Sequence, residues 1–381
     1  MDIAIYTLTS ELHDAASVEA LTNKFLASID IACDLRGSDF ADFGRHDLSL
    51  IYVRTGGTEA IFRRLLPQLQ TQCTKFYLLA SGQSNSLAAS MEILSYLRQQ
   101  RLQGEILHGT PDYVRRRITT LARAGQARRW LRGRRLGVIG RPSDWLIAST
   151  YGADQLRQRL GIELVELPIE ELTALPPKTG LEGAMSIYEA LKAMGAKERL
   201  DGFTLRCFDL LTTVRNTGCL ALARLNAEGM VAGCEGDVPA MLSMLLTRAL
   251  TGSSGFQSNP ACIDPDAGMM TLAHCTIPLD MVERYELDTH FESGLGIGIR
   301  GYMRPGPVTI FKVAGDLSRW FAAEGQLLRC EQRPDLCRTQ LVVELADKAD
   351  AAYFLSNPIG NHHIVVPGHV GQLFGELLSQ V

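Results

Sequence analysis

Five of the eight histidines fall beyond residue 270, at His274, His290, His362, His363 and His369, in stretches broken by glycine and proline. Neutral imidazoles close to turns suit two kinds of chemistry, metal ligation and proton transfer near neutral pH. Taken singly, each of them also fits a hydrogen-bonded structural histidine. A carboxylate that could join them stands earlier, where the apolar run of residues 230–234 stops at Glu235 in "VAGCEGDVPAML". Asp237, two residues on, precedes a helical pattern and reads as its N-cap, which leaves Glu235 as the acid free for metal or proton.

Strand alternation limits which of these side chains can meet. In "GNHHIVVPGHVG" (360–371) His362 and His363 point to opposite faces unless a bulge intervenes, so one is a ligand or base and the other supports it. His274 and Cys275 divide in the same way. If Cys207, Cys234 or Cys275 faced the site, softer ligands would favour Zn²⁺ over Mn²⁺, but alternation turns Cys234 and Cys275 away from their neighbours' side. The nine cysteines are scattered without a CxxC pair, which excludes a zinc ribbon and a disulfide framework.

The elements that position these residues read as three successive domains. Residues 1–112 alternate strand-like runs ("IAIYTL", "LSLIYVR", "KFYLLAS") with helix-like spacing, the mark of a doubly wound parallel sheet. Its turns at 54–60 and 80–90 lie where ligands approach such sheets. A second βα series occupies 113–255 and carries Glu235. Residues 256–381 turn β-rich, with strands at "MMTLAHCTIP", "LGIGIRGYM", "PVTIFKV", "TQLVVEL" and "HHIVVPG", as in a barrel or sandwich closed by a helix over 369–380. The string GxGxxG at 296–301 is a decoy, because Pro305 and Pro307 forbid the helix that a nucleotide fingerprint needs after it.

Composition narrows the function classes. The chain is 46% hydrophobic and 21% charged with a formal net charge of −4, an ordinary globular balance that gives no cause to expect nucleic acid as partner. No segment approaches the ~20 apolar residues of a membrane span, and the N-terminus carries no secretory pattern, so the expectation is a cytoplasmic protein with no membrane partner. One run departs from the average: residues 113–135 hold nine arginines, read as a solvated helix face or interdomain segment.

The stretches "CEGDVPAMLSMLLTRALTG", "LAHCTIP", "THFESG" and "GNHHIVVPGHVG" resemble the L-fucose isomerase and L-arabinose isomerase family, especially its shorter fucose-isomerase-like members. The resemblance implies two α/β domains and a β-rich third, an aldose–ketose isomerase using a divalent metal, usually Mn²⁺, and a homo-oligomer, trimer or hexamer. By the resemblance, Glu235 and the Asn361-His362 pair fall on metal-holding positions. His274 and His362 with His363 align with the histidines of the arabinose type. The middle carboxylate of the fucose pattern falls on Asn259, which can ligate through its carbonyl but cannot accept a proton. The implied set is Glu235, Asn259 and His274 for catalysis, and Glu235, His274 and His362 for the metal. Trp145, stacked on a sugar ring, and His290, Glu292 and His363, near its hydroxyls, would bind substrate. With Asn259 at that place the base must be Glu235, Asp237, Asp209, His274 or Glu292, through an enediol. The missing acid leaves open a diverged member performing epimerisation or a lyase step, or a non-catalytic sugar-binding protein.

Overall fold

A computed structural model describes residues 1–379. They form two compact units, one of Met1–Arg129 with the chain end from Glu376, the other of Trp130–Gly375. The first is built on a parallel five-stranded sheet of β1 (Ile3–Leu8), β2 (Asp34–Gly37), β3 (Leu48–Val53), β4 (Lys75–Ala80) and β5 (Gln103–Leu107), in the order β2-β1-β3-β4-β5. Alternate strand residues feed two cores. Tyr6, Ile51 and Leu78 pack with Phe62 and Ile93 from two helices, while Ile5, Leu50 and Leu79 pack with Ile118 and Leu121 from another. Both faces are covered, as expected for a parallel sheet.

The second unit begins with a smaller parallel sheet of β6 (Arg135–Ile139), β7 (Glu163–Leu167), β8 (Gly202–Leu205) and β9 (Val231–Cys234), ordered β7-β6-β8-β9. A closed antiparallel barrel follows. Its strands are β10 (Phe256–Asp264), β11 (Met269–His274), β14 (Gly306–Val313), β15 (Trp320–Cys330), β16 (Thr339–Leu345) and β17 (His363–Pro367), ordered β10-β11-β16-β15-β14-β17. The hairpin β12 (Arg284–Asp288) and β13 (Gly298–Tyr302) stands apart; the GxGxxG string begins before β13 and ends inside it, at Gly301, with a strand and no helix after it. Phe256, Leu272, Ile310, Leu341 and Val365 share the barrel core. The C-terminal helix Gly371–Leu378 stacks Phe374 on Phe311 of β14, ring centroids 3.7 Å apart. Gln380, the end of the helical segment expected from the sequence, lies outside the described residues. No helix among the described residues is long and apolar enough to cross a membrane.

The basic run forms the helix Pro111–Leu131 and the turn into β6. Five of its nine arginines are seen engaged with acids of their own chain. Arg115 pairs with Asp112, Arg117 makes two bonds to Glu105 at 2.5 and 2.6 Å, and Arg129 meets Asp47 at 2.5 Å. Arg134 meets Asp201 at 2.5 Å, and Arg135 meets Glu163 at 2.8 Å.

Candidate metal centre

β9 ends at Cys234, and the chain then reverses within two residues. Glu235 has φ of 63° and Gly236 of 69°, both in the left-handed region that costs a non-glycine residue on the order of 1 kcal/mol. Glycine is required at 236, because a Cβ there would sit 2.5 Å from the Arg141 carbonyl oxygen. The turn is pinned by Gly236 N–H donating to Leu205 O (3.0 Å) and Ser143 N–H donating to Glu235 O (3.0 Å). Backbone strain placed on a buried acid, 8% exposed, is the pattern expected of a functional site.

Two histidines face that acid. His274, the last residue of β11 and on the side of Leu272, brings Nε2 to 3.8 Å from Glu235 Oε1. His362, just before β17, brings Nε2 to 3.4 Å from the same oxygen. The ligating atoms of Glu235, His274 and His362 lie within 4.8 Å of one another, and all three residues are buried. On its other side, Glu235 Oε2 accepts a 2.7 Å hydrogen bond from the indole N–H of Trp145. Burial alone would raise the Glu235 carboxyl, but the two imidazoles outweigh it and hold the group well below the usual carboxylate range.

Asp237 does two jobs. Its Oδ1 accepts from Ala240 N–H (2.8 Å) as N-cap of the helix Val238–Thr251, and its Oδ2 lies 2.8 Å from His362 Nδ1. The carboxylate fixes the imidazole, leaving Nε2 directed at Glu235. Opposing its own desolvation, His362 is pushed up to about 9 by the two carboxylates. Asp237 is held down at about 2 against full burial, chiefly by the charge of Lys312, whose Nζ is 3.7 Å away.

The donor set fits a divalent cation. His362 Nε2, the nitrogen aimed at Glu235, is buried and lacks a hydrogen-bond partner, a condition that protein interiors rarely tolerate without an ion or water. Separations of 3.4 and 3.8 Å exceed hydrogen-bond length. A carboxylate hydrogen-bonded to the far nitrogen of a histidine is the usual second layer of a metal site. Two imidazoles and one carboxylate suit zinc as well as manganese, and no thiol joins the group. Cys234 turns away, as alternation requires, to lie 3.1 Å from Cys207 Sγ.

The remaining sequence-predicted residues divide. Trp145 is half exposed and packs edge-on against Phe208 (4.8 Å), which meets His290 edge-on at 5.5 Å. Trp145 is the ring of this chain of contacts that touches Glu235. His290 holds Ser293 Oγ at 3.1 Å through Nδ1; burial, then the neighbouring His274, lowers it to about 4. Glu292, exposed in the same turn, is raised by partial desolvation and by the charge of Glu235.

His363 and Asn259 do not join the group. His363 points the other way, with Nε2 2.9 Å from the Tyr353 hydroxyl and Nδ1 3.0 Å from Asn361 O, amid Phe321 and Phe354. Both ring nitrogens are therefore committed to the protein. Asn259, paired with Ala273 across β10 and β11, accepts from Asn361 Nδ2 at 2.9 Å. His369 is bound to Gly325 O at 3.1 Å. Sequence reasoning missed Lys312, whose only sign was a cation inside the apolar strand "PVTIFKV", and Phe208, which carried none.

No family model matches the chain. Among curated proteins it is similar to the sulfoquinovose isomerase of Priestia aryabhattai, 24% identical over 334 residues, covering 78% of this chain and 73% of the relative. The sulfoquinovose isomerase of Priestia megaterium gives the same values. That of Alkalicoccus urumqiensis is 22% identical over 263 residues, covering 61% of this chain and 59% of the relative. One enzyme name recurring across several species supports an isomerase.

Proposed function

We propose that the protein is a metal-dependent aldose–ketose isomerase of the fucose/arabinose type, acting on a sugar through an enediol. The observation that carries this reading is the buried Glu235–His274–His362 group, with His362 Nε2 unpartnered and its Nδ1 fixed by Asp237. Glu235, His274 and His362 would hold the cation, with Mn²⁺ as the expected ion. A bound divalent cation would polarise the sugar oxygens on which charge develops.

The chain's own residues supply the rest. Glu235, kept ionised by His274 and His362 against its burial and oriented by the Trp145 N–H, is the base that takes the proton from C2 and returns it at C1. Glu292, whose carboxyl is raised partly by the charge of Glu235, is the complementary group for the hydroxyl proton. Trp145, Phe208 and His290 offer an aromatic wall for a sugar ring. His363, with both ring nitrogens engaged, is given no catalytic part here, and Asn259 is placed beside the site through its bond from Asn361.

The relatives act on sulfoquinovose by name, so a sulfonated hexose is the first substrate to test, alongside L-fucose and L-arabinose. Interconversion of aldose and ketose, dependent on added Mn²⁺ and abolished by chelation, is the expected result. No turnover across that panel with Mn²⁺ present would refute it. On this reading the enzyme works in the cytoplasm as a homo-oligomer, trimer or hexamer, and sedimentation of a monomer alone would count against that part.

A further inference from the structure

We infer that Lys312 is a built-in countercharge to the buried carboxylates of the metal centre and weakens its hold on a divalent cation, so that the ion stays exchangeable. This deepens the metal-dependent reading above and rests on it. Lys312 sits near the end of β14, on the side of Ile310, and is 1% exposed. Its Nζ makes no hydrogen bond, and its one charged neighbour among the described residues is Asp237 Oδ2 at 3.7 Å. The strand end is fixed on the helix Val238–Thr251 by Val313 N–H donating to Ser243 Oγ (3.0 Å).

Stability does not account for this lysine. Burying an ammonium costs several kcal/mol, and an ion pair without hydrogen bonds recovers little of that. The helix N-terminus beside it is already partly positive, so a cation there is unfavourable. An apolar residue would pack in the same place and leave Asp237 to cap the helix alone.

What the lysine does is set charge. Glu235 and Asp237 put two carboxylates into a buried space, and Lys312 offsets one of them whether or not His362 carries a proton. When a doubly charged ion enters, the same lysine becomes a like charge. It stands beyond Asp237 and the His362 ring, where repulsion between its unit charge and a doubly charged ion, at an effective dielectric of about 20 or somewhat above, changes affinity by at least about tenfold. Removing it should therefore tighten binding. Damage to packing can only loosen it.

The test is calorimetric titration of Mn²⁺ alone into metal-stripped wild type, Lys312→Met and Lys312→Gln, with Asp237 kept as the lysine's partner in the wild type. Both variants should bind Mn²⁺ at least about tenfold more tightly than wild type. If Lys312→Met does not fold without metal, the comparison with Lys312→Gln decides. Equal or weaker binding on loss of the lysine overturns the inference while leaving the metal centre standing. A wild type that binds no Mn²⁺ overturns the metal reading itself, and this inference with it.

Discussion

Replacing Trp145 with phenylalanine removes one donor and keeps a ring. The indole N–H gives Glu235 Oε2 its 2.7 Å hydrogen bond, and the two imidazoles face the other oxygen. A hydrogen bond to a charged group contributes about 1.5–3 kcal/mol when shielded from water. Trp145 is 51% exposed, so the lower end applies, about 1–1.5 kcal/mol, or fivefold to tenfold in any step that depends on Glu235 orientation. Trp145→Ala also loses the edge contact with Phe208 at 4.8 Å, worth roughly 0.5–1.5 kcal/mol more. We expect Trp145→Phe to weaken Mn²⁺ binding and lower kcat by fivefold to tenfold with KM little changed. Trp145→Ala should raise KM as well. Both constants at wild-type values in Trp145→Phe would refute the reasoning, because Glu235 would then need no help from the indole.

Three further expectations follow from the same geometry. Gly236→Ala should abolish metal binding and lower yield of folded protein, since its Cβ would approach the Arg141 oxygen to 2.5 Å at a φ of 69°; a variant with wild-type affinity would show that the turn relaxes freely. Arg117→Ala leaves Glu105 without its cation and leaves Glu376, 2.7 Å from the guanidinium, with Lys75 at 3.6 Å; a loss of about 2–3 kcal/mol, read as a fall of several degrees in Tm, is expected. His290 is lowered to about 4 from an ordinary 6.5, so the folded protein resists a proton that the unfolded chain accepts. Its contribution to stability is therefore undiminished above about pH 6.5 and falls as pH drops towards 4. The His290 ring proton should not titrate by NMR between pH 8 and 5, and a midpoint near 6.5 would contradict its burial.

Strand positions in the barrel were legible where apolar residues run unbroken, as at β11, β14, β16 and β17. β10 was not, because Pro260 argues against a strand; it is accommodated at an irregularity in register between Pro260 and Cys262. β2, "DLRG", is exposed or half-exposed throughout and carries no apolar signal at all. Of the site, Glu235, His274 and His362 were singled out by residue type and by family resemblance, and the fold brings these three together. The rest of the network escaped because it is non-local. His362 and Asp237 are 125 residues apart, and only barrel closure places Lys312 beside the same acid. Asn259 and His363 were assigned through alignment with a pattern, which cannot see that Asn361 and Tyr353 already occupy them.

A divalent cation on Glu235, His274 and His362 is the central requirement of the proposed reaction. Metal-stripped wild type and Glu235→Gln, dialysed to equilibrium against Mn²⁺ and analysed for bound metal, give the most direct test, with aldose–ketose interconversion of the proposed sugar panel followed on the same samples. Near one ion per chain and turnover in wild type, with less than about a tenth of each in Glu235→Gln, is the predicted outcome. Isomerisation by a wild-type protein that retains no metal and is indifferent to chelator would contradict it.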